Sequence, residues 1–579
     1  MPDSGNDHWV TLIHTGALSE IMSDGTTTAI SSEKDSQNAY PKDDGPSTAV
    51  DSGPDPNHEY LSGLKLVAVL AAVVFPYFLV MLDASIVSTA APQITTTFNS
   101  LLDVGWYGAA YELTSSASQP LSGKIYTKFS LKWSYLAFFV LFELGSVICG
   151  AAHSSVMLIV GRAFAGLGSS GLLNGGLTIL SSVLVPAKQP GFMGLLVALG
   201  QLGIACGPLI GGAFTEYVSW RWCFYINLPV GGAAALLLIF VAVPENHPKP
   251  PVRETLRNIE RALDLIGFTI ILPTAIMFFM ALEWGGQRYA WNSSVVIGLF
   301  VGAGLSFILF LVWEYYRGDD AMLPFSMLRT RIVWSAATYM FFFFGVLFCF
   351  DYYLPIFFQS VEDDTAFLSG VHMLPQVISQ VVFALVSGVM VQNTGYYLPW
   401  IVVGSMFATI GYGLLSSLSP STSYSRRIGF QVLFGIGIGS ATTTPFIAVQ
   451  GLVSPAQIPV AMGIVIFTQN LGGAIWVAVA QAIFDNSLYQ AIGTYAPSVN
   501  PETLLEAGVR SIRRLVSEGD LPGVLRAYAK SVDHVFYLGT ALAGVSFLIS
   551  FSLGWTDIRK KEASQEIKKA DATTASDTV

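Results

Sequence analysis

The stretch GQLGIACGPLIGG, residues 200–212, carries five glycines and a proline within an otherwise apolar run. In a helix, Gly203, Gly207 and Gly211 are spaced by four residues and lie on one face. A face without side chains lets a second helix approach closely. Pro208 has no N–H to donate, so we expect the helix to bend there. Ordinary packing of small residues between membrane helices gives the same pattern, so the rest of the sequence must decide what the stretch does.

The composition excludes a soluble protein. Of the 579 residues, 52% are apolar and 12% are charged, and the mean hydropathy is +0.56. These values are typical of an integral membrane protein. The four cysteines lie in or beside apolar stretches without paired metal-ligand spacing, so we predict packing roles for them and neither a disulfide framework nor a metal site. They are Cys149, Cys206, Cys223 and Cys349.

The acidic net charge comes from one terminal segment. The formal charge is −10, but residues 1–60 hold eleven acidic residues against two lysines, which leaves the rest of the chain nearly neutral. This segment is rich in Ser, Thr, Asp, Gly and Pro and lacks the pattern of a signal peptide. We predict a disordered cytosolic tail over residues 1–62. Its hydroxyl side chains are compatible with regulation by phosphorylation or with a tail that is simply solvated.

Fourteen apolar stretches are long enough to cross a bilayer core of about 30 Å. Their centres fall near residues 77, 113, 143, 166, 203, 234, 274, 304, 345, 378, 407, 439, 472 and 545. They divide the chain into a tail (1–62), a six-helix half (63–245), a linker with two inserted spans (246–330), a second six-helix half (331–557) and a second tail (558–579). We therefore predict an all-α integral membrane protein.

Basic residues orient these spans, because Lys and Arg collect in cytosolic loops. The connections after spans 2, 6, 8 and 14 are basic, which places them and both termini in the cytosol. Their basic residues are Lys124, Lys128, Lys132, Lys249, Arg253, Arg257, Arg261, Arg317, Arg329, Arg331, Arg559, Lys560 and Lys561. The opposite loops hold few: Arg221, Arg288, Arg426 and Arg427. The long connection from about 486 to 533 is mixed in charge and argues weakly against this orientation.

A short internal echo indicates two related halves. LSGKIYTKFS (121–130) follows span 2 and VSGVMVQNTG (386–395) follows span 10, and each places Ser-Gly at the end of its span. Structural repeats of this kind build alternating-access transporters. Two loops this short also match by chance, so the echo needs a structure to test it.

Five stretches, in order, resemble signatures of the major facilitator superfamily. GIACGPLIGG resembles the fifth-helix antiporter signature of its drug exporters. The other four are similar to the first-helix motif, the loop between helices 2 and 3, the fourth-helix motif with its arginine, and the entry into helix 6. They are LDASIVSTAAPQI (82–94), LSGKIYTKFSLKW (121–133), GRAFAGLGSSG (161–171) and SWRWCFYINLPVG (219–231). Over about residues 62–558 the chain looks like the fourteen-span drug:proton antiporters, and most like fungal toxin and multidrug efflux pumps.

The loop after span 2 departs from the superfamily pattern. Thr127 stands where an acidic residue is usual, and Ser130 stands where a glycine is usual. The charge relay of that loop is therefore not expected here. From the resemblance we carry over only a conformational hinge, through Gly123, Lys128 and Lys132.

Four ionisable residues lie within spans, where each costs roughly 2.5–3.5 kcal/mol on insertion scales. The resemblance places Asp83 and Arg162 on helices that line the transport route, with Glu112 on a flanking helix and Glu143 on a peripheral one. We expect Glu112, Asp83 and Arg162 to couple transport to protons, with Glu112 first because it is deeper in its span. The alternative is a static ion pair at Arg162, and a structural role is expected for Glu143.

The substrate pocket is less well marked. We select Tyr107, Tyr111, Gln376 and Gln380 as candidates, because they are polar or aromatic groups within spans. Asn292 begins an N-S-S sequon between spans 7 and 8 and is a glycosylation candidate on the non-cytosolic side.

We expect a proton-coupled exporter of amphipathic small molecules, monomeric, without cofactors or nucleic-acid partners, in the plasma membrane or a vacuolar membrane. A proton-coupled importer of an iron chelate or nutrient is the alternative within transport, and a non-transporting membrane sensor is the alternative outside it. Phosphate-binding G-x-x-x-x-G-K-[ST], H-E-x-x-H and G-x-S-x-G patterns are absent from the sequence, which argues against ATP as a direct energy source and against an enzyme.

Overall fold

The computed structural model describes residues 60–559, except 99, 101–102, 246, 287–288, 420, 502–503 and 505–511. Most of both predicted tails, together with Arg288, Lys560 and Lys561, lies outside the described residues.

Fourteen long helices follow one another in the described part of the chain. They are α1 (Gly63–Phe98), α2 (Val104–Lys128), α3 (Leu131–Gly150), α4 (Ser155–Val183), α5 (Gln189–Tyr217), α6 (Asn227–Phe240), α7 (Leu265–Trp284), α8 (Ser294–Arg317), α9 (Arg331–Val361), α10 (Leu374–Thr394), α11 (Leu398–Leu415), α12 (Tyr424–Thr442), α13 (Ile458–Tyr495) and α14 (Leu521–Ser550). A short helix, Trp222–Tyr225, precedes α6, and α12 is continued by Thr444–Leu452. Each of the fourteen predicted centres falls in one of these helices or in the continuation of α12.

Local sequence explains several helix ends. The hydroxyl of Ser154 accepts the N–H of Met157 at 3.2 Å and so caps the start of α4. The carboxylate of Asp264 caps α7 through the N–H of Gly267 at 3.2 Å. α10 ends at Gly395, whose φ of 78° favours glycine because a Cβ is strained in the left-handed region.

Thirteen helices of the described residues are long and apolar enough to cross a membrane, one fewer than predicted. The remaining helix is α2, which has 25 residues and spans about 37 Å at 1.5 Å per residue. It carries many polar residues, and most of them are buried against other helices instead of facing lipid. They include Ser115, Ser116, Ser118, Gln119 and Ser122.

The helix packing repeats between the two halves. α1 packs on α5 as α9 packs on α13, α2 packs on α4 as α10 packs on α12, and α3 packs on α4 as α11 packs on α12. α1 also contacts α6 as α9 contacts α14. The halves meet along two equivalent seams, α2 with α13 and α10 with α5. This arrangement agrees with the repeat inferred from the two Ser-Gly loops.

The halves close on each other at one end of the bundle, where α2, α4 and α10 end and α5 and α13 begin. A Cβ on Gly123 would lie 2.7 Å from the carbonyl oxygen of Pro459, and a Cβ on Gly388 would lie 2.6 Å from that of Pro190. Such distances are too short for any side chain, so glycine lets the backbones touch on both seams. Every residue of α4 from 168 onward is buried, which shows that helices surround it at this end. We call this end the closed end.

The inserted helices α7 and α8 pack on each other, and α7 also contacts α2 and α13. The pair therefore stands beside the α2–α13 seam. At the closed end, Lys124 of α2 donates to the carbonyl oxygen of Asp319, just after α8, at 3.3 Å.

Candidate functional site

The glycine strip of α5 lies directly against α1, as the spacing predicts. A Cβ on Gly203 would lie 2.6 Å from the carbonyl oxygen of Phe78. A Cβ on Gly207 would overlap the hydroxyl of Ser85, and one on Gly211 would overlap that of Thr89. Any side chain on the strip would force α1 and α5 apart.

Two other residues of the stretch behave differently. Gly212 does not belong to the strip, because a Cβ there would meet nothing within 4 Å. Pro208 lies inside α5, which remains one helix from Gln189 to Tyr217.

The same helix α1 carries Asp83, which forms an ion pair with Arg162 of α4. Both side chains are 1% exposed. Two opposite charges removed from water need close pairing and further hydrogen bonds to remain charged. The structure therefore brings together two of the three residues expected to couple transport to protons.

Neighbouring helices complete the coordination of this pair. Arg162 Nε donates to the carbonyl oxygen of Tyr107 at 2.7 Å, and its guanidinium lies 4.3 Å from the centre of the Tyr111 ring. The second oxygen of Asp83 accepts from the Asn227 amide at 3.2 Å. The pair thus joins α1, α2, α4 and α6.

Asn227 is a residue that the sequence analysis missed. It is fully buried, and its amide also donates to Ser146 of α3 at 3.0 Å. It lies within SWRWCFYINLPVG, and a lone amide at the start of an apolar helix was the available signal. Its contacts tie the ion pair to α3 as well.

Glu112 differs from the expectation. Its side chain is exposed, and in the described part of the chain it makes no ion pair with Arg162, while Asp83 is buried. Glu112 is seven residues before Gln119 on α2, so the two share a helix face. Gln119 is buried at the α2–α13 seam, where its carbonyl oxygen lies 3.0 Å from a Cβ placed on Gly463. We therefore infer that Glu112 faces the same seam farther from the closed end.

Glu143 lies between α3 and α6. Both of its carboxylate oxygens are buried without a hydrogen-bond partner among the described residues, and a Cβ on Gly231 of α6 would overlap one of them. It makes no ion pair with Arg162 in the described part of the chain, and the structural role expected for it stays a prediction.

The four pocket candidates do not present an open surface in this conformation. Tyr107, Tyr111, Gln376 and Gln380 are each 2% exposed or less. Gln376 donates to Gln380 at 2.5 Å, and both lie where α10 meets α12. They pack helices together here, and their contact with a substrate stays a prediction that requires another conformation.

Among the described residues, the repeat shows an ion pair like Asp83–Arg162 in the first half and none in the second. Gly166 of α4 packs on the backbone of Tyr111, and Gly435 of α12 packs on the backbone of Gln376. Counting four residues back from each glycine makes Gln431 the counterpart of Arg162. Gln431 is buried and uncharged, so the described residues of the second half contain no equivalent of the ion pair.

The loop between α2 and α3 is held by the linker after α6. The carboxylate of Glu245 accepts the N–H of Leu131 at 2.9 Å. His247 lies 3.2 Å from the carbonyl oxygen of Thr127, and Lys249 donates to that of Tyr126 at 2.7 Å. These linker residues bind the loop at the position where the usual acidic residue is missing.

Burial shifts both basic groups of this linker. The pKa of His247 is lowered to about 4 by burial and by the nearby Lys249, so the imidazole is neutral near pH 7. Burial also lowers the pKa of Lys249 to about 8, against the opposing effect of Glu245. The contact between this linker and α2 therefore does not depend on a charged histidine.

The hinge residues of the loop have separate partners. Lys132 donates to the carbonyl oxygens of Ile239 and Val241 at 2.8 and 2.9 Å, at the end of α6. Gly123 forms the close contact with Pro459, whereas Lys128 is half-buried and makes no hydrogen bond in the described part of the chain. Gly123 alone among the three touches the other half.

Asn292 is exposed in the turn between α7 and α8. Ser293, the next residue, caps α8 through the N–H of Val296 at 3.3 Å. The sequon therefore stands immediately beside a long apolar helix.

One cluster of acidic residues and a histidine lies after α9. Candidate ligand atoms of Glu362, Asp364 and His372 are within 4.8 Å of one another. His372 Nδ1 lies 2.7 Å from an Asp364 oxygen, and Glu362 pairs with Arg427. The partners already present explain the cluster as an ion-pair network, so it gives no support for a metal ion.

The fold of two six-helix halves and a buried charge pair between α1 and α4 define a membrane transporter. The model of the Major Facilitator Superfamily matches residues 73–477, and the chain belongs to that family. It is therefore a multi-pass membrane protein.

Named relatives cover almost the whole chain. The "MFS-type transporter pigP" of Monascus ruber is 47% identical over 554 residues, which are 96% of this chain and 97% of the relative. The "Efflux pump mlcE" of Penicillium citrinum is 45% identical over 526 residues, 89% of this chain and 94% of the relative. A solved structure of the proton:xylose symporter XylE shares the fold, with a TM-score of 0.54 at 13% identity over 85% of this chain and 96% of that one.

Proposed function

We propose that this chain is a proton-coupled efflux transporter that exports amphipathic small molecules, such as secondary metabolites, toxins or drugs, by alternating access. Relatives that span nearly the full chain are named efflux pumps, which supports export over uptake. The family of transporters argues against a sensor and against catalysis. We further propose that the protein works as a monomer in the plasma membrane with both termini in the cytosol.

The observation that carries the coupling is the buried Asp83–Arg162 pair. Asp83 lies on α1, which packs on the glycine strip of α5, and Arg162 lies on α4. A proton that binds Asp83 removes its charge and with it the attraction to Arg162. The buried arginine then has an uncompensated charge, which is costly unless the site opens to water. Proton binding thus favours a rearrangement of the helices that hold the pair.

Glu112 supplies the second acid of the site. Its side chain is exposed in the conformation described, whereas Asp83 is sealed between helices. In this scheme Glu112 receives a proton or a cationic group of the substrate from solvent, and Asp83 acts after the seam has changed. The basic loops at the closed end support a cytosolic position for that end, and in this proposal the conformation described is outward-facing.

Transport by purified protein in liposomes tests this function. With an imposed pH difference, a fluorescent amphipathic dye should move against its own gradient only when protons flow the other way. Glu112→Gln should stop proton-driven movement while dye binding persists, and Arg162→Ala should fail in a similar way. Dye movement that is independent of the pH difference in the unmodified protein would exclude proton coupling. Movement of dye and protons in the same direction would instead identify an importer.

A further inference from the structure

The closed end is held differently along its two seams. At the α2–α13 seam, the amide of Asn174 on α4 donates to the carbonyl oxygen of Pro459 at 3.1 Å and to the hydroxyl of Ser122 at 3.0 Å. Asn174 is fully buried. One side chain of the first half therefore connects α2, α4 and α13, and it crosses between the halves.

The repeat identifies the position that corresponds to Asn174 in the other half. Asn174 lies eight residues after Gly166, and Thr443 lies eight residues after Gly435, its equivalent on α12. Thr443 is also fully buried, but its hydroxyl has no hydrogen-bond partner among the described residues. The α5–α10 seam is thus closed by contact of Gly388 with Pro190 without this hydrogen bond.

A second amide forms another hydrogen bond between the two halves. Gln450, in the helix that continues α12, donates to the carbonyl oxygen of Leu177 on α4 at 2.8 Å. Its side chain is 6% exposed. Both hydrogen bonds end on backbone carbonyls, so neither depends on the charge of an acidic residue.

We propose that Asn174 is the positioning residue of the cytosolic gate: its hydrogen bond to Pro459 locks the α2–α13 seam and must break before that seam opens. This neutral lock takes the place of the charge relay that is not expected in the loop, where Thr127 replaces the usual acidic residue. The inference rests on the alternating access of the proposed function. It predicts an asymmetric gate, in which the α2–α13 seam opens against the Asn174 hydrogen bond, whereas Thr443 supplies no equivalent bond among the described residues.

The cost of opening follows from the burial of both partners. A buried amide and a buried carbonyl that lose each other pay a desolvation cost unless water replaces the bond. A protein that lacks the Asn174 donor has one hydrogen bond fewer to break when the α2–α13 seam opens. Loss of the Asn174 donor should therefore shift the equilibrium toward the state that is open at the cytosolic end.

Spin-label distances measure this equilibrium in the full-length protein, without substrate or a pH difference. The four cysteines are replaced first, and labels are placed at Lys128→Cys and Gln457→Cys for the α2–α13 seam. A second pair, Ala187→Cys and Asn393→Cys, reports the α5–α10 seam. Three of these four positions are exposed and Lys128 is half-buried.

Asn174→Asp is the informative variant, because it keeps the shape of the side chain. As a carboxylate it cannot donate to Pro459, so the long-distance population of the first label pair should grow several-fold near neutral pH. When acid protonates it, the carboxyl can donate again and the short distance should return. Gln119, Ser122, Pro459 and Gly463 face Asn174, and none of them is ionisable, so the pH response belongs to the new carboxyl. Lys124 on α2 is bound to Asp319 instead.

Thr443→Val is the matched control at the equivalent position and should leave both label pairs unchanged. Asn174→Ala should open the first seam at every pH, which separates the lost donor from any repulsion by a carboxylate. Asn174 does not lock the gate if the distances of the first label pair in Asn174→Asp and Asn174→Ala equal those in the unmodified protein, both near neutral pH and in acid. The label distances are measured without a proton gradient. They can therefore contradict the role of Asn174 while dye transport still proves to be proton-driven, or support that role while dye transport proves independent of protons.

Discussion

Gly123 and Gly388 occupy equivalent positions in the two halves, and each touches the carbonyl oxygen of a proline in the first turn of a helix from the opposite half. Both glycines follow a serine near the end of a helix, α2 or α10, in the two stretches that echo each other in the sequence. The backbone contacts that close the transporter are therefore twofold. The side chains added to them are not, since Asn174 bonds across one seam and Thr443 does not bond across the other.

The ion pair predicts that replacing Asp83 destabilises the protein and that replacing Glu112 does not. Asp83→Asn leaves Arg162 buried without its counter-charge, which should destabilise the protein by about 3–5 kcal/mol and abolish efflux. Glu112→Gln changes an exposed side chain, so its unfolding temperature should equal that of the unmodified protein even though coupling is lost. Thermal unfolding in detergent and dye transport in liposomes measure both effects. Equal destabilisation by the two variants would contradict the burial difference.

The contacts of α5 predict that a side chain abolishes transport at Gly207 but not at Gly212. Gly207→Leu should abolish transport, because the side chain overlaps Ser85 and pushes α1 away from α5. Gly212→Leu is the control in the same helix, where a Cβ meets open space, and should transport normally. Efflux from cells with equal surface amounts of each variant decides the matter. Normal efflux by a correctly localised Gly207→Leu protein would reduce the strip to general helix packing.

The orientation can be tested at Asn292. If both termini are cytosolic, α7 crosses outward and the turn before α8 faces away from the cytosol. In a protein whose own cysteines are replaced, Asn292→Cys should react with an impermeant thiol reagent in intact cells. Lys188→Cys, an exposed position between α4 and α5, should react only after permeabilisation. The reverse pattern in a surface-localised protein would invert the topology.

The contacts of the linker after α6 predict that His247 does not change its protonation state during transport. The pKa of His247 is about 4, so the side chain stays neutral between about pH 5.5 and 7.5, and His247→Gln should keep the pH profile of transport in that range. Its effect on stability has a defined sign. The unfolded state, with a histidine pKa of about 6.5, binds more protons than the folded state between pH 6.5 and 4, so stability falls as pH falls through that window.

His247→Gln removes that contribution to the acid dependence. Acidification from pH 7 should therefore lower the unfolding temperature of the variant less than it lowers the unfolding temperature of the unmodified protein. A transport profile displaced along the pH axis in His247→Gln would show that this histidine titrates during the cycle.

Much of the fold follows from local sequence. Apolar length alone positions the long helices, because a bilayer fixes how many residues a span needs. The spacing of Gly203, Gly207 and Gly211 correctly predicts a close helix contact, because helical periodicity fixes which residues share a face. α2 is the instructive exception: its hydropathy is lowered by polar residues that tertiary contacts bury against other helices.

The site depended on rotation about helix axes, which no count along the chain provides. Depth along the span ranks Glu112 above Asp83, but in the structure Asp83 pairs with Arg162 and the Glu112 side chain is exposed. Asn227 and Asn174 join their networks through partners 52 to 285 residues away, beyond the reach of local pattern. The helices, their contact faces and the residue types available for chemistry follow from the sequence, because they depend on local periodicity and hydropathy. The pairing of charges, the amides that cross between halves and the end that is closed follow from the folded arrangement, because those energies depend on the positions of groups distant in sequence.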